Sequence, residues 1–299
     1  MRGTIPRAVV VTRATAFESL LERHATRGQA DFFLRGRGRS LEPVEEAHRR
    51  HYEALAAVRR SIPETWRRAH VDRRDLDRFL FEPDDIMIAV GQDGLVANMA
   101  KYLCGRPVIG VNPLPELFDG VLVPHPPSAV AELLPAVAAG HATVEARSMV
   151  QAELDDGQRL QALNEIFIGH SSHQSARYRL CHQGRQERHS SSGLIVASGT
   201  GATGWARSIC RARNAAPPLP LPTDRRLAFL VREAFPSRAT GVELTHGVVN
   251  DGEELQVSSE MDDGGVIFGD GIETDRLEFS WGQTVTVGLA DVALALVRP

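Results

Sequence analysis

The chain has 299 residues, of which 42% are hydrophobic and 24% charged, and its formal net charge is −4. This balance is typical of a globular protein, and it gives no excess of positive charge for binding nucleic acid or an acidic membrane. No apolar run approaches the roughly 20 residues that span a bilayer, and residues 1–6 lack the apolar core of a signal peptide. Three separated cysteines favour reduced thiols over a disulfide framework. We therefore expect a cytoplasmic protein of two domains.

The first half of the chain alternates apolar runs with helical patterns. Strands are predicted at 8–11, 86–90 and 107–111. Helices are predicted over 17–27, 43–62, 95–103 and 127–139. Gly28 would cap the first helix, and residues 29–40 are predicted to form a flexible loop. The alternation favours an α/β domain with a mostly parallel, covered sheet over residues 1–140.

Four arginine pairs stand close together in this half, at 49–50, 59–60, 67–68 and 73–74. They allow two interpretations, an anion-binding face or a solvated helical surface balanced by nearby acids. The second is the more ordinary, and we adopt it.

The second half, residues 141–299, is predicted to be mainly β. Residues 149–154 and 160–168 flank a turn at 155–158, and further strands are predicted at 178–181 and 194–197. Residues 214–223 form a Pro-rich connector, after which short apolar runs alternate with Gly and Asp turns.

The first motif whose residues can take part in binding or catalysis is Gly91-Gln92-Asp93-Gly94, between a predicted strand and a predicted helix. Open α/β sheets bind ligands at the carboxyl ends of their strands, where glycines let backbone amides approach phosphate. A carboxylate there is suited to holding Mg²⁺ or to accepting a proton from an attacking hydroxyl. The alternative is a tight turn in which Asp93 only caps the helix.

The second motif is the pair Asn164-Glu165 within the apolar run 162–168. Polar groups in such a run are costly unless they are satisfied. In one continuous strand the two side chains face opposite sides, and either can bind a base edge or a ribose hydroxyl. The alternative is a pair at a strand end that bonds to backbone in a turn.

The third motif follows the strand at 194–197 and is rich in small and hydroxyl residues. A nucleotide site can be lined by three hydroxyls, those of Thr200, Thr203 and Ser208, and by the backbone at Gly204. Trp205 offers an aromatic face for stacking. The alternative is a flexible loop with Trp205 in the core. The motif lacks the lysine of a phosphate-binding P-loop.

Four histidines lie in the β-rich half, at His170, His173, His182 and His189. Their spacing fits no metal-site pattern and no cysteine stands at matching intervals. We interpret them as surface or structural residues and predict no protein metal site.

In this order and with these separations, the three motifs resemble those of the NAD kinase family. That family carries a Gly-Gly-Asp-Gly turn, then an Asn-Glu or Asn-Asp pair, then a Thr-Gly-Ser-Thr-Ala-Tyr-like loop. The resemblance extends from about Ala8 to the C-terminal strands. The sequence looks most like the mitochondrial-type branch of the family at three places: the run 163–169, the segment 192–194 and Trp205.

The resemblance implies a Rossmann-like domain over 1–140 and an NAD kinase-like β-sandwich, binding dinucleotide, over 141–299, whose last segment can return to the first domain. It implies transfer of a phosphoryl group from ATP (or polyphosphate), with Mg²⁺, to the 2′-hydroxyl of NAD or NADH. A homodimer or higher homo-oligomer is expected. Asp93 would activate the hydroxyl, and Asn164 and Glu165 would hold adenosine or ribose groups. The residues expected to line the nucleotide sites are Gly91, Gln92, Gly94, Thr200, Thr203, Gly204, Trp205, Ser208 and, in the late Asp-Gly turn, Asp270.

The chain departs from the family motifs at several positions. Gln92 replaces the second glycine of the first motif, where its side chain would either block phosphate or supply a new donor group. Leu95 replaces a threonine, and Ala202 and Trp205 replace a serine and a tyrosine. Two alternatives therefore stand beside NAD(H) phosphorylation. One is a kinase of this fold for another nucleoside, sugar or alcohol, and the other is a non-catalytic NAD(P)(H)-binding sensor.

Overall fold

The computed structural model describes residues 5–213 and 217–299. Chain contacts divide the protein into two compact units. The first, which we call the α/β unit, runs to Glu145 and also contains Ala295–Pro299. The second, the β unit, is Ala146–Leu294. Two stretches lie outside the described residues. One is 1–4, within the segment where no signal peptide is expected, and the other is 214–216 in the Pro-rich connector.

The sheet of the α/β unit has the order β2-β1-β3-β4-β18-β5. Its strands are β1 (Arg7–Thr12), β2 (Arg67–Asp72), β3 (Asp85–Val90), β4 (Pro107–Val111), β5 (Val144–Arg147) and β18 (Leu294–Val297). The pairs β1–β2, β1–β3, β3–β4 and β4–β18 are parallel. All six residues of β3 are buried, as expected for a strand with helices on its faces.

Five helices accompany this sheet: α1 (Ala16–His24), α2 (Arg27–Arg35), α3 (Glu42–Ser61), α4 (Asp93–Leu103) and α5 (Val130–Ala138). Helix α3 starts with a proline in its first turn, carries acidic residues there and basic ones in its last turn, and buries one apolar side against the sheet. These elements confirm four predictions: the strands at 86–90 and 107–111 and the helices at 43–62 and 95–103.

The predicted loop over 29–40 is wrong, because most of it is helix α2. Thr26 starts this helix by accepting the N–H of Gln29 at 3.2 Å, and Ala30 and Leu34 bury one face. Gly28 lies inside α2 and caps nothing; α1 ends at His24 instead. The arginine pair 67–68 lies in strand β2, and not on a helical surface.

The β unit contains two six-stranded sheets with the orders β10-β9-β14-β17-β6-β7 and β13-β12-β11-β8-β15-β16. The first five strands in sequence are β6 (Val150–Leu154), β7 (Arg159–Ala162), β8 (Glu165–His170), β9 (Ala176–His182) and β10 (Arg185–Ser191). The next four are β11 (Leu194–Ala197), β12 (Arg226–Val231), β13 (His246–Asn250) and β14 (Leu255–Ser259). The last three are β15 (Gly265–Gly269), β16 (Arg276–Glu278) and β17 (Thr284–Leu289). Helix α6 (Trp205–Arg211) follows β11.

Inward-facing residues of both sheets form one apolar core in the β unit. Alternate residues such as Ile166 and Ile168 of β8 pack in it with Leu180 of β9 and Phe229 of β12. The mainly β character predicted for the second half is confirmed. In the described part of the chain, no helix has both the length and the apolar character needed to cross a membrane.

Candidate functional site

Asp93 is the first residue of helix α4, immediately after the turn that ends strand β3. Its carboxylate accepts two backbone hydrogen bonds, from the N–H of Val121 at 3.1 Å and from the N–H of Leu122 at 2.8 Å. These bonds fix the orientation of the carboxylate, while each oxygen keeps capacity for another donor. The side chain is only partly buried, so a ligand can reach it.

The segment that holds Asp93 is itself positioned by a glycine of β4. A Cβ atom on Gly110 would stand 2.0 Å from the carbonyl oxygen of Leu122, so only glycine allows this close approach. The N–H of His125 donates to the Gly110 carbonyl at 3.1 Å, and the His125 Nε2 lies 2.9 Å from the Val297 oxygen of β18. Sequence reasoning missed Gly110, because its only signal is a glycine inside an apolar strand.

Gln92, which stands where the family has glycine, points its side-chain carbonyl at Arg13. The Arg13 Nη2 donates to Gln92 Oε1 at 2.6 Å. Gly91 is buried and its N–H donates to the Val111 carbonyl at 3.0 Å, whereas Gly94 is exposed and a Cβ there would meet nothing within 4 Å. The side chain of Gln92 is thus engaged with a cation.

In the β unit, the backbone at Leu163 and Asn164 is held by Asp270. The carboxylate of Asp270 accepts their two N–H groups at 2.9 and 2.6 Å. The continuous strand expected over 160–168 is therefore wrong: β7 ends at Ala162, β8 begins at Glu165, and the two strands belong to different sheets. Asn164 lies in the break, where its side chain forms no hydrogen bond with other described residues.

The same break is held from its other side by the segment after β11. The Ser198 N–H donates to the Asn164 carbonyl at 2.9 Å, and the Ser198 hydroxyl donates to the Leu163 carbonyl. A Cβ on Gly201 would stand 2.1 Å from the Asn164 oxygen. The structure thus brings the second and third motifs together through backbone contacts. Ser198, a buried serine after an apolar strand, was not singled out from the sequence.

Glu165 is the most perturbed acid of this group. Burial, and then the negative charge of Asp270, raise the pKa of Glu165 to about 7. No hydrogen bond satisfies its carboxyl group among the described residues. Near neutral pH the group therefore changes between a hydrogen-bond donor and an acceptor, a property often found at ligand sites.

The third motif divides into buried and exposed residues. Thr200 is buried, and its hydroxyl has no hydrogen-bond partner among the described residues. Thr203 is exposed and its hydroxyl donates to the Thr200 carbonyl at 3.1 Å. Gly204 and Ser208 are also exposed, at the start and on the first turn of α6.

Trp205 is 36% exposed, so it is not a core residue. Its ring stacks with Phe167 at a centroid distance of 5.9 Å and an interplanar angle of 13°. The Arg232 guanidinium lies 4.9 Å from the centroid of its ring. The indole is therefore held in place by an aromatic and a cationic neighbour.

No family model matches the chain. Two curated NAD kinases do match part of it: that of Chlorobaculum tepidum is 24% identical over 127 residues, and that of Acidithiobacillus ferrooxidans is 32% identical over 132 residues. Each match covers 42% of this chain, and the chain spans only 44% of the length of each relative. Over this part of its length the chain is thus similar in sequence to NAD kinases. A crystal structure of yeast NADH kinase complexed with NADH has the same fold, with a TM-score of 0.60 and 13% identity over 99% of this chain and 84% of that one.

The histidines of the β unit do not converge like ligands of one metal ion. His189 is fully buried, and burial lowers its pKa; its Nε2 lies 3.3 Å from a Glu187 carboxylate oxygen. His182 ends β9 and is buried, and His170 ends β8. Within residues 5–213 and 217–299, no group of three or more His, Cys, Asp and Glu residues is arranged to hold a metal ion.

Proposed function

We propose that this chain transfers a phosphoryl group from ATP to the 2′-hydroxyl of the adenosine ribose of NAD or NADH, giving NADP or NADPH. The observation that carries the proposal is the position of Asp93. It begins a helix at the carboxyl end of a buried parallel strand, and two backbone N–H groups hold its carboxylate in one orientation. This is a suitable arrangement for a base that accepts the proton of an attacking hydroxyl.

The other motif residues have supporting roles in this proposal. Asn164 and Glu165 bind hydroxyl or base groups of the dinucleotide, since both side chains lack protein hydrogen-bond partners in the described chain. Asp270 positions their backbone. Thr203, Trp205 and Ser208 line the dinucleotide site from the exposed start of α6.

The protein groups fit Mg²⁺ that is held mainly by phosphate oxygens. Since no cluster of His, Cys, Asp and Glu in the described chain is arranged to hold a metal ion, Mg²⁺ would enter with the phosphates of the donor, and Asp93 would stay free to accept the proton. When bound, the ion would neutralise charge on the transferring phosphoryl group. The chain itself orients the hydroxyl and takes up its proton.

We also propose that the two compact units correspond to functional domains. The α/β unit would act as a Rossmann-like nucleotide-binding domain, and the β unit as a β-sandwich that binds dinucleotide. In keeping with the family resemblance, we propose a cytoplasmic homodimer or higher homo-oligomer. Sedimentation of the purified chain tests the oligomeric state.

The test is the turnover of Asp93→Asn, measured as NADP(H) formed from ATP-Mg²⁺ with NAD or NADH. We expect a loss of at least about 10²-fold, the scale of general-base loss. Because the new amide NH₂ would face one of the two N–H donors, thermal melting must accompany the assay. Asp119→Asn, a change at an exposed residue in the same segment, is the matched control and should keep wild-type turnover.

Folded Asp93→Asn protein with near-wild-type turnover would contradict the role of Asp93. Wild-type protein that binds NAD(H) saturably and forms no product would favour the sensor. Wild-type protein that neither binds nor phosphorylates NAD(H) would favour another acceptor.

A further inference from the structure

Helices α1 and α2 carry none of the motif residues, yet a groove of about 590 Å³ lies along their surface. We call it the α1–α2 groove. Six of its lining side chains are basic, aromatic or amide-bearing: Arg23, His24, Gln29, Phe32, Phe33 and Arg37. No carboxylate of the described residues lines it. The groove therefore combines positive charge with aromatic surface.

The connection between the two helices fixes the shape of this groove. Helix α1 ends at His24 and α2 begins at Arg27, so two residues join them. The first of these, Ala25, has φ +61°, and its N–H closes the last turn of α1. Leu34 of α2 packs in the same small apolar core as Leu20 of α1. The two helices are thus held together, and the groove is formed before any partner arrives.

The aromatic part of the groove has one fixed ring and one exposed ring. Phe33 is half-buried; the His24 ring lies 4.2 Å from its centroid and the Arg37 guanidinium lies 3.7 Å from it. Phe32 is 81% exposed, because the buried side of α2 is formed by the residues two before and two after it. A single exposed ring is ordinary, but this one borders a second ring in a concave surface.

Two arginines of the groove have no acidic partner in the described chain. No carboxylate there lies within 4.0 Å of the guanidinium of Arg23 or Arg37, and both residues are exposed. Arg27 and Arg35 of α2 do pair with carboxylates, at N–O distances of 2.6 and 3.0 Å. The uncompensated positive charge of this helix pair is therefore at the groove.

The number of these charges indicates the kind of partner. Single-stranded nucleic acid presents a phosphate at every nucleotide and is bound along a track of cations. This groove offers two unpaired arginines, and the whole chain has a net charge of −4. A short protein segment with carboxylates on either side of an apolar side chain matches two cations beside two rings. Such a segment is complementary to the groove in both charge and apolar surface.

We propose that the α1–α2 groove docks an acidic segment of another protein. An aromatic or aliphatic side chain of that segment would pack against Phe32 and Phe33, and its carboxylates would bind Arg23 and Arg37. This docking goes beyond the phosphoryl transfer proposed above and does not depend on it, because no residue assigned to that reaction lies in α1 or α2.

The experiment is fluorescence anisotropy of a labelled probe peptide, Glu-Asp-Leu-Phe-Asp-Glu, titrated with the full chain. We expect saturable binding with a dissociation constant below about 1 mM. Two control peptides test the two parts of the groove. One has lysines in place of the four acids, the other has Gly-Ser in place of Leu-Phe, and each should bind at least about ten-fold more weakly.

Two substitutions with matched controls locate the binding. Phe32→Ala and Arg23→Gln should each weaken the affinity for the acidic peptide at least about five-fold. Leu80→Ala changes another side chain that is 81% exposed, and Arg60→Gln changes an exposed arginine in the last turn of α3. These controls should change the affinity less than about two-fold. Thermal melting confirms that each variant is folded.

No saturable binding of the acidic peptide, or equal binding of its lysine counterpart, would overturn the inference. Losses in the control variants as large as those in Phe32→Ala and Arg23→Gln would overturn it as well. Tighter binding of a single-stranded oligonucleotide that is lost in Phe32→Ala would replace the protein partner with nucleic acid. An oligomer that dissociates in Phe32→Ala would replace it with a second copy of this chain. The role of Asp93 is tested separately, by turnover.

Discussion

Two aspartates, one in each compact unit, make the same pair of hydrogen bonds. Asp93 accepts the N–H groups of residues 121 and 122, and Asp270 accepts those of residues 163 and 164. Their surroundings differ. Asp93 opens a helix at the end of a buried parallel strand, whereas Asp270 lies in a turn with φ +54° and raises the pKa of a neighbouring acid. A carboxylate that holds a loop is therefore not by itself a catalytic group.

We expect these surroundings to separate Asp93, the proposed base, from Asp270, which positions a loop. The loop held by Asp93 contributes no motif residue, so its bonds orient the aspartate. The loop held by Asp270 carries Asn164, so there the bonds orient the loop. Four predictions test this contrast.

The largest effect on stability is expected at two glycines that allow close backbone approach, one in each unit. Gly110→Ala would place a Cβ 2.0 Å from the Leu122 oxygen, and Gly201→Ala would place one 2.1 Å from the Asn164 oxygen. We expect each to lower the free energy of unfolding by about 3 kcal/mol, measured by urea denaturation. Gly94→Ala is the control, because its Cβ meets nothing within 4 Å. Wild-type stability in both variants would contradict the close contacts of Gly110 with the Leu122 carbonyl and of Gly201 with the Asn164 carbonyl.

The next effect is expected from Asp270→Asn. The change replaces one acceptor with an NH₂ group facing a backbone N–H, so we expect a loss of roughly 2 kcal/mol in the free energy of unfolding. NAD(H) affinity should also fall, since the Asn164 backbone is no longer held. Asp262→Asn, at an exposed position before the start of β15, should change neither quantity. If Asp270→Asn lowered the free energy of unfolding but left NAD(H) affinity unchanged, Asp270 would have no role in the proposed dinucleotide site.

A smaller effect is expected in the pH dependence of stability. The pKa of Glu165 is about 7 in the folded chain and 4.5 as its ordinary value. Between these values the folded state holds a proton that the unfolded state has lost, so Glu165 makes stability fall as pH rises from about 4.5 to 7. Glu165→Gln should remove this part of the fall. The measurement is the melting temperature of wild type and variant across that pH range. If the two melting temperatures changed with pH in parallel, the pKa assigned to Glu165 would be contradicted.

The smallest effect is expected from Thr200→Val. The hydroxyl is buried and has no partner within the part of the chain that the structure describes, and valine has nearly the same shape. The free energy of unfolding should stay the same or rise by up to about 1 kcal/mol. NAD(H) affinity should be unchanged, and a clear loss of affinity in calorimetry would show that the hydroxyl reaches a ligand after all.

Much of the α/β unit was predictable because its signals are local. Strand β3 and strand β4 are short apolar runs, and α4 follows a turn with glycines. Strand β2, with the sequence RRAHVD, and strand β10, with RQERHSS, were missed because polar strands at sheet edges lack an apolar run.

The details of the candidate site depend on contacts between residues far apart in sequence. The break after Ala162 falls inside an apolar run, and its cause is Asp270, 106 residues from Asn164. Likewise the partners of Asp93 are 28 and 29 residues away, in a segment that no motif marks. The order of the motifs gives an expectation of which residues form the site, but the hydrogen bonds that hold those residues in place could not be predicted from local sequence.

The most direct test of the central claim is the identity of the product formed by wild-type protein from ATP-Mg²⁺ and NAD or NADH. Mass spectrometry detects the added phosphoryl group, and phosphorus NMR shows which hydroxyl carries it. We predict a single phosphoryl group on the 2′-hydroxyl of the adenosine ribose. A phosphoryl group on another hydroxyl, or no product from protein that binds both nucleotides, would contradict the proposed function.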